Sequence, residues 1–170
     1  MVTKLTCFTD ASWAGCLTTR RSTTCVALFH GDHLVKFSSQ TQIPVAISVG
    51  ESEFYALTKG AAQALGLQSI CIDWGLSYAV DIHTDSSSSI GTASRRGAGK
   101  LRHIETPLLW IQQVIAKRAV TLRKTPGTQN PADLGTKILG GPQIAQHCRR
   151  LGLEIRAGTH PLALRTAATT

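Results

Sequence analysis

Negative charge is what this sequence has least of: ten Asp and Glu stand against eighteen Lys and Arg in 170 residues, a formal net charge of +8. That balance points to an anionic partner, of which nucleic acid is the commonest. It also makes any carboxylate in an apolar setting conspicuous, because burying one is expensive unless something pairs with it. Long apolar runs are missing too, and nothing approaches the roughly 20 residues of a membrane span. The opening MVTKLTCFTD lacks the apolar core and small-residue cleavage site of a signal peptide. Cysteines are few, odd in number and never in a CxxC pair: Cys7, Cys16, Cys25, Cys71 and Cys148. They argue against a disulfide framework or a zinc site and fit small buried hydrophobes in a reducing, intracellular compartment. A polybasic tail is absent as well. The basic residues come as dispersed pairs such as Arg20-Arg21, Arg95-Arg96, Lys117-Arg118 and Arg149-Arg150, so the fold must assemble any basic footprint.

What is present reads as alternating strands and helices. Residues 3–9, 25–30 and 33–38 alternate as strands, and Gly31-Asp32 between the last two is a hairpin signal. From Glu51 to about Trp74, apolar residues recur at helical spacing through Phe54, Leu57, Ala61, Ala64, Leu65 and Ile72. Gly60 and Gly66 inside that helix imply close packing, since each costs up to about 1 kcal/mol against Ala. Residues 80–84 form a strand that stops at Asp85, followed by a serine-capped short helix and the basic loop RRGAGKLRH. An amphipathic helix over 103–117, a strand over 119–124, the turn TPGTQNP and a short helical ADLGTKIL complete the pattern. This order predicts a mixed α/β sheet with helices on its faces. The organisation expected is one domain over 1–140 and a C-terminal extension over 141–170, partly helical and then disordered.

Four of the scarce acids occupy comparable places. Asp10 ends or interrupts the first strand, Glu53 lies in the first turns of the long helix, Asp85 follows a strand, and Asp133 opens the last short helix. Strand ends and adjacent helix ends are where an α/β sheet builds its site. Carboxylates gathered there without enough basic partners repel, so a divalent cation is their natural partner. Hard oxygen ligands suit Mg²⁺, with Mn²⁺ as a substitute, rather than zinc. Two such ions about 4 Å apart can clamp the attacking and leaving oxygens of a phosphodiester.

The segments TDASWAG, ESEFYAL, HTDSSSSI and NPADLGTK, in that order, resemble the four signature segments of ribonuclease H. With FSSQTQ and RHIETPLLWIQ, the chain is most similar to the ribonuclease H domain of copia-type (LTR) retrotransposon polyproteins, over roughly residues 4–139. The resemblance implies the RNase H fold, a five-stranded mixed sheet of order 3-2-1-4-5 with helices on both sides. It implies an endonuclease that cuts the RNA strand of RNA/DNA hybrids with two Mg²⁺ ions, during retrotransposon reverse transcription. By the resemblance, Asp10, Glu53, Asp85 and Asp133 would be the catalytic, metal-binding carboxylates. Glu53 rather than Glu51 is chosen because Glu53-Phe54-Tyr55-Ala56-Leu57 fits the family's helix motif. Glu51, about 200° away around the helix and pointing away from its apolar stripe, reads as a first-turn helix acid. The implied partners are a hybrid and a reverse transcriptase portion of the same polyprotein, with no membrane, in a cytoplasmic particle or the nucleus.

Two departures from the family stand out. KTPGTQNPAD lacks the loop histidine of many ribonucleases H, which implies slower product release. VGESE replaces a segment with a capping hydroxyl, at a cost of about 1 kcal/mol to the helix start. The candidate nucleic-acid contacts are Ser38, Ser39 and Gln40 (with Gln42), for 2′-hydroxyls, and Arg95, Arg96, Lys100, Arg102 and His103, for phosphates. Two other readings stay open: a catalytically degenerate nucleic-acid-binding remnant, and another nuclease or strand transferase of the same fold.

Overall fold

Strand β1 (Lys4–Ser12) is the centre of the sheet. In the computed structural model, which describes residues 4–97, 99, 103–104 and 106–154, it pairs antiparallel with β2 (Thr23–His30) and parallel with β4 (Ala79–Thr84). β3 (His33–Thr41) joins β2 as the expected hairpin, with Gly31 at φ 59°, a left-handed turn position natural to glycine. β5 (Thr121–Lys124) runs parallel to β4. The sheet order is β3-β2-β1-β4-β5, the mixed sheet expected.

α1 (Val49–Asp73) crosses one face of the sheet and buries Phe54, Leu57, Ala61 and Ala64 against Leu5, Cys7, Val26, Leu28, Val80 and Ile82. Gly60 is where the helix approaches most closely: a Cβ there would collide with Thr9 and Cys7. Gly66 has open space around it, so close packing is not its reason. Ile72 also departs from expectation, being exposed past the point where the helix overhangs the sheet. α1 begins earlier than its pattern implies, because Ser48 caps it, accepting from the Glu51 N–H at 3.2 Å. The hydroxyl missing from VGESE is thus supplied by its neighbour, and no loss at the helix start arises.

α2 (Ser87–Ser94) is capped by Ser86. The helix expected over 103–117 is shorter: a 3₁₀ turn over Thr106–Leu109 leads into α3 (Trp110–Ala116). Pro107 has no N–H to give, and regular helical bonding starts beyond it. Ile104 and Ile111 complete the core on this face. On the opposite face Phe8, Ala27, Phe29, Leu34 and Phe37 meet Leu134 and Leu151. Leu151 follows α4 (Gly141–Arg150), so the part of the expected extension that is described packs on the sheet. The disordered end expected beyond it lies outside the described residues, as do Lys100 and Arg102. All five cysteines are free, and no described helix is long and apolar enough to cross a membrane.

Candidate active site

Strand register brings the first two acids together. Phe8 pairs with His83 across the parallel β1–β4 ladder, so Asp10 and Asp85 lie two steps further along neighbouring strands. Asp10 is inside β1 rather than at its end, opposite Cys25 of β2. The first turns of α1 reach the same edge, where Glu53 Oε1 accepts from the Ala11 N–H at 3.4 Å. Asp10, Glu53 and Asp85 each present a carboxylate oxygen within 4.8 Å of the others. Gly127 packs beside Asp85, close enough that a Cβ would come within 2.9 Å of Asp85 Oδ2.

The fourth acid arrives on a separate support. Asn130 is fully buried; its Nδ2 donates to the Thr9 carbonyl at 2.9 Å and its Oδ1 accepts from the Ala132 N–H at 3.1 Å. One side chain thereby ties the 3₁₀ turn Pro131–Gly135 to the strand residue next to Asp10 and caps that turn, a role Asp133 does not take. Ser39 holds the turn from the other side by donating to the Gly135 carbonyl at 2.6 Å, and Gly135 leaves no room for a Cβ between Cys25 and Ser39. Asp133 is buried and lies outside the trio. It connects to Asp10 through Lys137, whose Nζ is 2.7 Å from Asp133 Oδ2 and 4.0 Å from Asp10 Oδ1. The Thr136 hydroxyl donates to Asp10 Oδ2.

The electrostatics record the crowding. Burial, opposed by Thr136 and Lys137 and reinforced by Asp133 and Asp85, pushes the Asp10 carboxyl up to about 6. Burial and then the charges of Asp10 and Asp85 push Glu53 up to about 8. Glu53 Oε2 and Asp133 Oδ1 are buried with no hydrogen-bond partner among the described residues. Unpaired buried oxygens of this kind call for a cation, and an all-carboxylate donor set fits a hard divalent ion.

Glu51, read from sequence as a first-turn acid pointing away from the apolar stripe, is 1% exposed. Its carboxylate accepts from the Tyr55 hydroxyl at 2.5 Å and the Ile47 N–H at 3.1 Å, and pairs with His103 Nε2 at 2.9 Å. Helical spacing put Glu51 on a different side from Glu53, which holds. That other side is covered by the 103–104 segment, which the periodicity of α1 alone does not reveal.

The remaining nucleic-acid candidates fall into three groups. Gln40 is exposed and Ser38 half-buried on edge strand β3, while Gln42 is buried, donating to Thr24 Oγ1 and the Ser52 carbonyl, each at 2.9 Å. Arg96 is exposed beside a groove shared with Trp110, Gln112 and Lys117, and Arg95 is half-buried. Gln112 anchors the start of this basic loop through Gly97 N and O, at 2.9 and 3.0 Å. His103 has committed Nε2 to Glu51. Residues that sequence reasoning passed over are Asn130, Thr136 and Lys137. An Asn before Pro signals a side-chain cap, and Asp133 to Lys137 is a four-residue charge pair.

Sheet order and helix placement define the RNase H fold. Solved structures agree. LC11-RNase H1, isolated from compost, superposes with TM-score 0.54 at 17% identity, covering 80% of this chain and 94% of that one. The N-terminal RNase H domain of a Mycobacterium tuberculosis protein gives 0.53 at 15%, covering 86% and 97%. Prototype foamy virus protease-reverse transcriptase gives 0.51 at 11%, covering 88% of this chain and 20% of that chain. In sequence, the chain is homologous to part of the retrovirus-related Pol polyprotein from transposon TNT 1-94 of Nicotiana tabacum, 27% identical over 135 residues. That match covers 78% of this chain and only 10% of the polyprotein. A second relative, an uncharacterized mitochondrial protein of Arabidopsis thaliana, is 43% identical over 56 residues, 33% of this chain and 23% of the relative. No family model matches the chain.

Proposed function

We propose that this chain is a ribonuclease H that hydrolyses the RNA strand of RNA/DNA hybrids with two bound divalent cations, Mg²⁺ by preference, within a retroelement polyprotein that also carries a reverse transcriptase. The observation that carries this reading is the trio Asp10, Glu53 and Asp85 within 4.8 Å, with buried, unpartnered oxygens on Glu53 and on nearby Asp133. Asp10, Glu53, Asp85 and Asp133 would hold the ions, which when bound supply Lewis acidity to the phosphodiester and a water of lowered pKa. Asn130, Ser39 and Thr136 keep the turn carrying Asp133 fixed against β1, so the acidic edge is preorganised. Arg95 and Arg96, which open the basic loop, would neutralise backbone phosphates, and the charges of Lys100 and Arg102 would add to them. Ser38 and Gln40 on the open edge of β3 are suited to 2′-hydroxyl contacts. Ser39 gives its hydroxyl to the Gly135 carbonyl and would brace the turn that carries Asp133.

Labelled RNA/DNA hybrid, duplex RNA and duplex DNA, each incubated with Mg²⁺, test the reading. Cleavage confined to the RNA strand of the hybrid is expected, and Asp10→Asn abolishes it while leaving the melting temperature unchanged or raised. Hybrid binding without cleavage in Mg²⁺ or Mn²⁺ would make the chain a degenerate remnant. Cleavage or joining of duplex DNA would make it another nuclease or strand transferase of the same fold.

A further inference from the structure

The acidic cluster is lopsided. On one side, Asp10, Glu53 and Asp85 come within 4.8 Å, and among the described residues Glu53 Oε2 has no hydrogen-bond partner and Glu53 forms no salt bridge. On the other side, between Asp10 and Asp133, an ammonium group is already in place. Lys137 Nζ lies 2.7 Å from Asp133 Oδ2 and 4.0 Å from Asp10 Oδ1, and the second Asp10 oxygen takes the Thr136 hydroxyl. Asp133 Oδ1 is left buried and without a partner, so the ammonium covers only half of that carboxylate's capacity. Lys137 is 43% exposed in its side chain, and a long flexible stem lets its head move into solvent.

We propose that Lys137 is a resident counter-ion of this site, holding the Asp10–Asp133 side until a divalent cation displaces it. The inference rests on the carboxylates being the metal site. The Asp10–Glu53–Asp85 side then fills first. The Asp10–Asp133 side fills second and more weakly, because an entering ion must replace a salt bridge and meet a like charge. In the metal-free protein the ammonium stabilises the fold by relieving carboxylate repulsion, so one residue both steadies the empty site and sets the concentration at which the site becomes complete.

The test is ion binding by the full chain without nucleic acid, read by calorimetry with Mg²⁺ and by the spin-resonance signal of free Mn²⁺. Wild type is expected to bind in two unequal steps. Lys137→Met should tighten the second step about tenfold or more, with a smaller effect on the first. It should also lower the metal-free melting temperature and enlarge the rise that Mn²⁺ brings. Lys137→Arg, which keeps the charge, stays near wild type, and Lys137→Gln follows Lys137→Met should the latter fold poorly. A second step unchanged or weakened in both neutral variants overturns the proposal while leaving the metal site standing. Wild type that binds no ion, or Asp85→Asn that binds like wild type, overturns the metal reading and this inference with it.

Discussion

Opposite ends of one sheet both bury carboxylates, and they treat them differently. At the start of β4, Asp81 receives Arg123 Nε at 2.7 Å and Lys4 Nζ at 3.2 Å. Burial raises its pKa, and those two hydrogen bonds more than reverse the effect. At the far end Asp10 and Glu53 are also buried, but their neighbours are mostly other acids and both are pushed upward. Within α1 the same contrast recurs over two residues: Glu51 has three partners, whereas Glu53 has one long hydrogen bond and a bare oxygen. Burial alone therefore does not mark a functional acid in this molecule. Burial without compensation is the better ground for proposing one, since stability alone gives no reason to retain it.

The largest test of that contrast is Glu53→Gln. Neutralising an acid among acids relieves repulsion, so the metal-free protein should be as stable as wild type or more so. Cleavage of the hybrid in Mg²⁺ should fall about a hundredfold or more, the scale of removing a preorganised electrostatic contact. Initial rates and melting temperatures of the same preparations decide it. A variant that melts lower and still cuts would place Glu53 among the structural acids.

How much of this was legible beforehand follows from where each signal resides. Strand periodicity and the Gly31-Asp32 turn are local and foretold the mixed sheet, while its strand order came from the resemblance to ribonuclease H. Asp10 lies inside β1, and Glu53 and Asp85 near element ends, on segments that the topology brings together, so their meeting followed from the fold. Lys137 and Asn130 escaped because their partners, Asp10 and Thr9, are more than a hundred residues away, and no periodicity encodes such a contact. Glu51 misled for a related reason: helical spacing shows which side a residue faces, but not that the 103–104 segment folds over it. Ser39 resembled a substrate contact on an edge strand, and only the position of Gly135 reveals the turn it supports.

A second test uses protons. Unfolded, Asp10 and Glu53 titrate near 3.8 and 4.5; folded, they hold their protons up to about 6 and about 8. A raised carboxylate pKa means that the folded chain binds more protons across this interval. Its stabilising share is complete below the unfolded values and is lost as pH rises through the folded ones. Asp81 has the opposite sign, contributing above its ordinary value and losing that contribution only in stronger acid. In chelator, the wild-type melting temperature should therefore fall between about pH 5 and about pH 8.5, and Glu53→Gln should remove much of the fall. Saturating Mg²⁺ should flatten the wild-type curve as well. A metal-free curve already flat over that range would show that the two acids are compensated after all.

The smallest expected effect belongs to Glu51, and it separates structure from chemistry most cleanly. Glutamine at this position keeps the shape and one acceptor oxygen, which can still take the Ile47 N–H. The charge that faces His103 is lost, and the Tyr55 hydroxyl must turn from donor to acceptor to meet the amide N–H₂. Glu51→Gln should cost about 1–2 kcal/mol, more than an exposed first-turn acid could through the helix dipole. Because Glu51 bonds to Ile47, Tyr55 and His103 and lies outside the Asp10–Glu53–Asp85 trio, cleavage per folded molecule should remain near wild type. Denaturant unfolding alongside initial rates measures both. If Glu51→Gln loses activity as deeply as Glu53→Gln at full occupancy of the folded state, the division between compensated and uncompensated acids fails in the helix where it is sharpest.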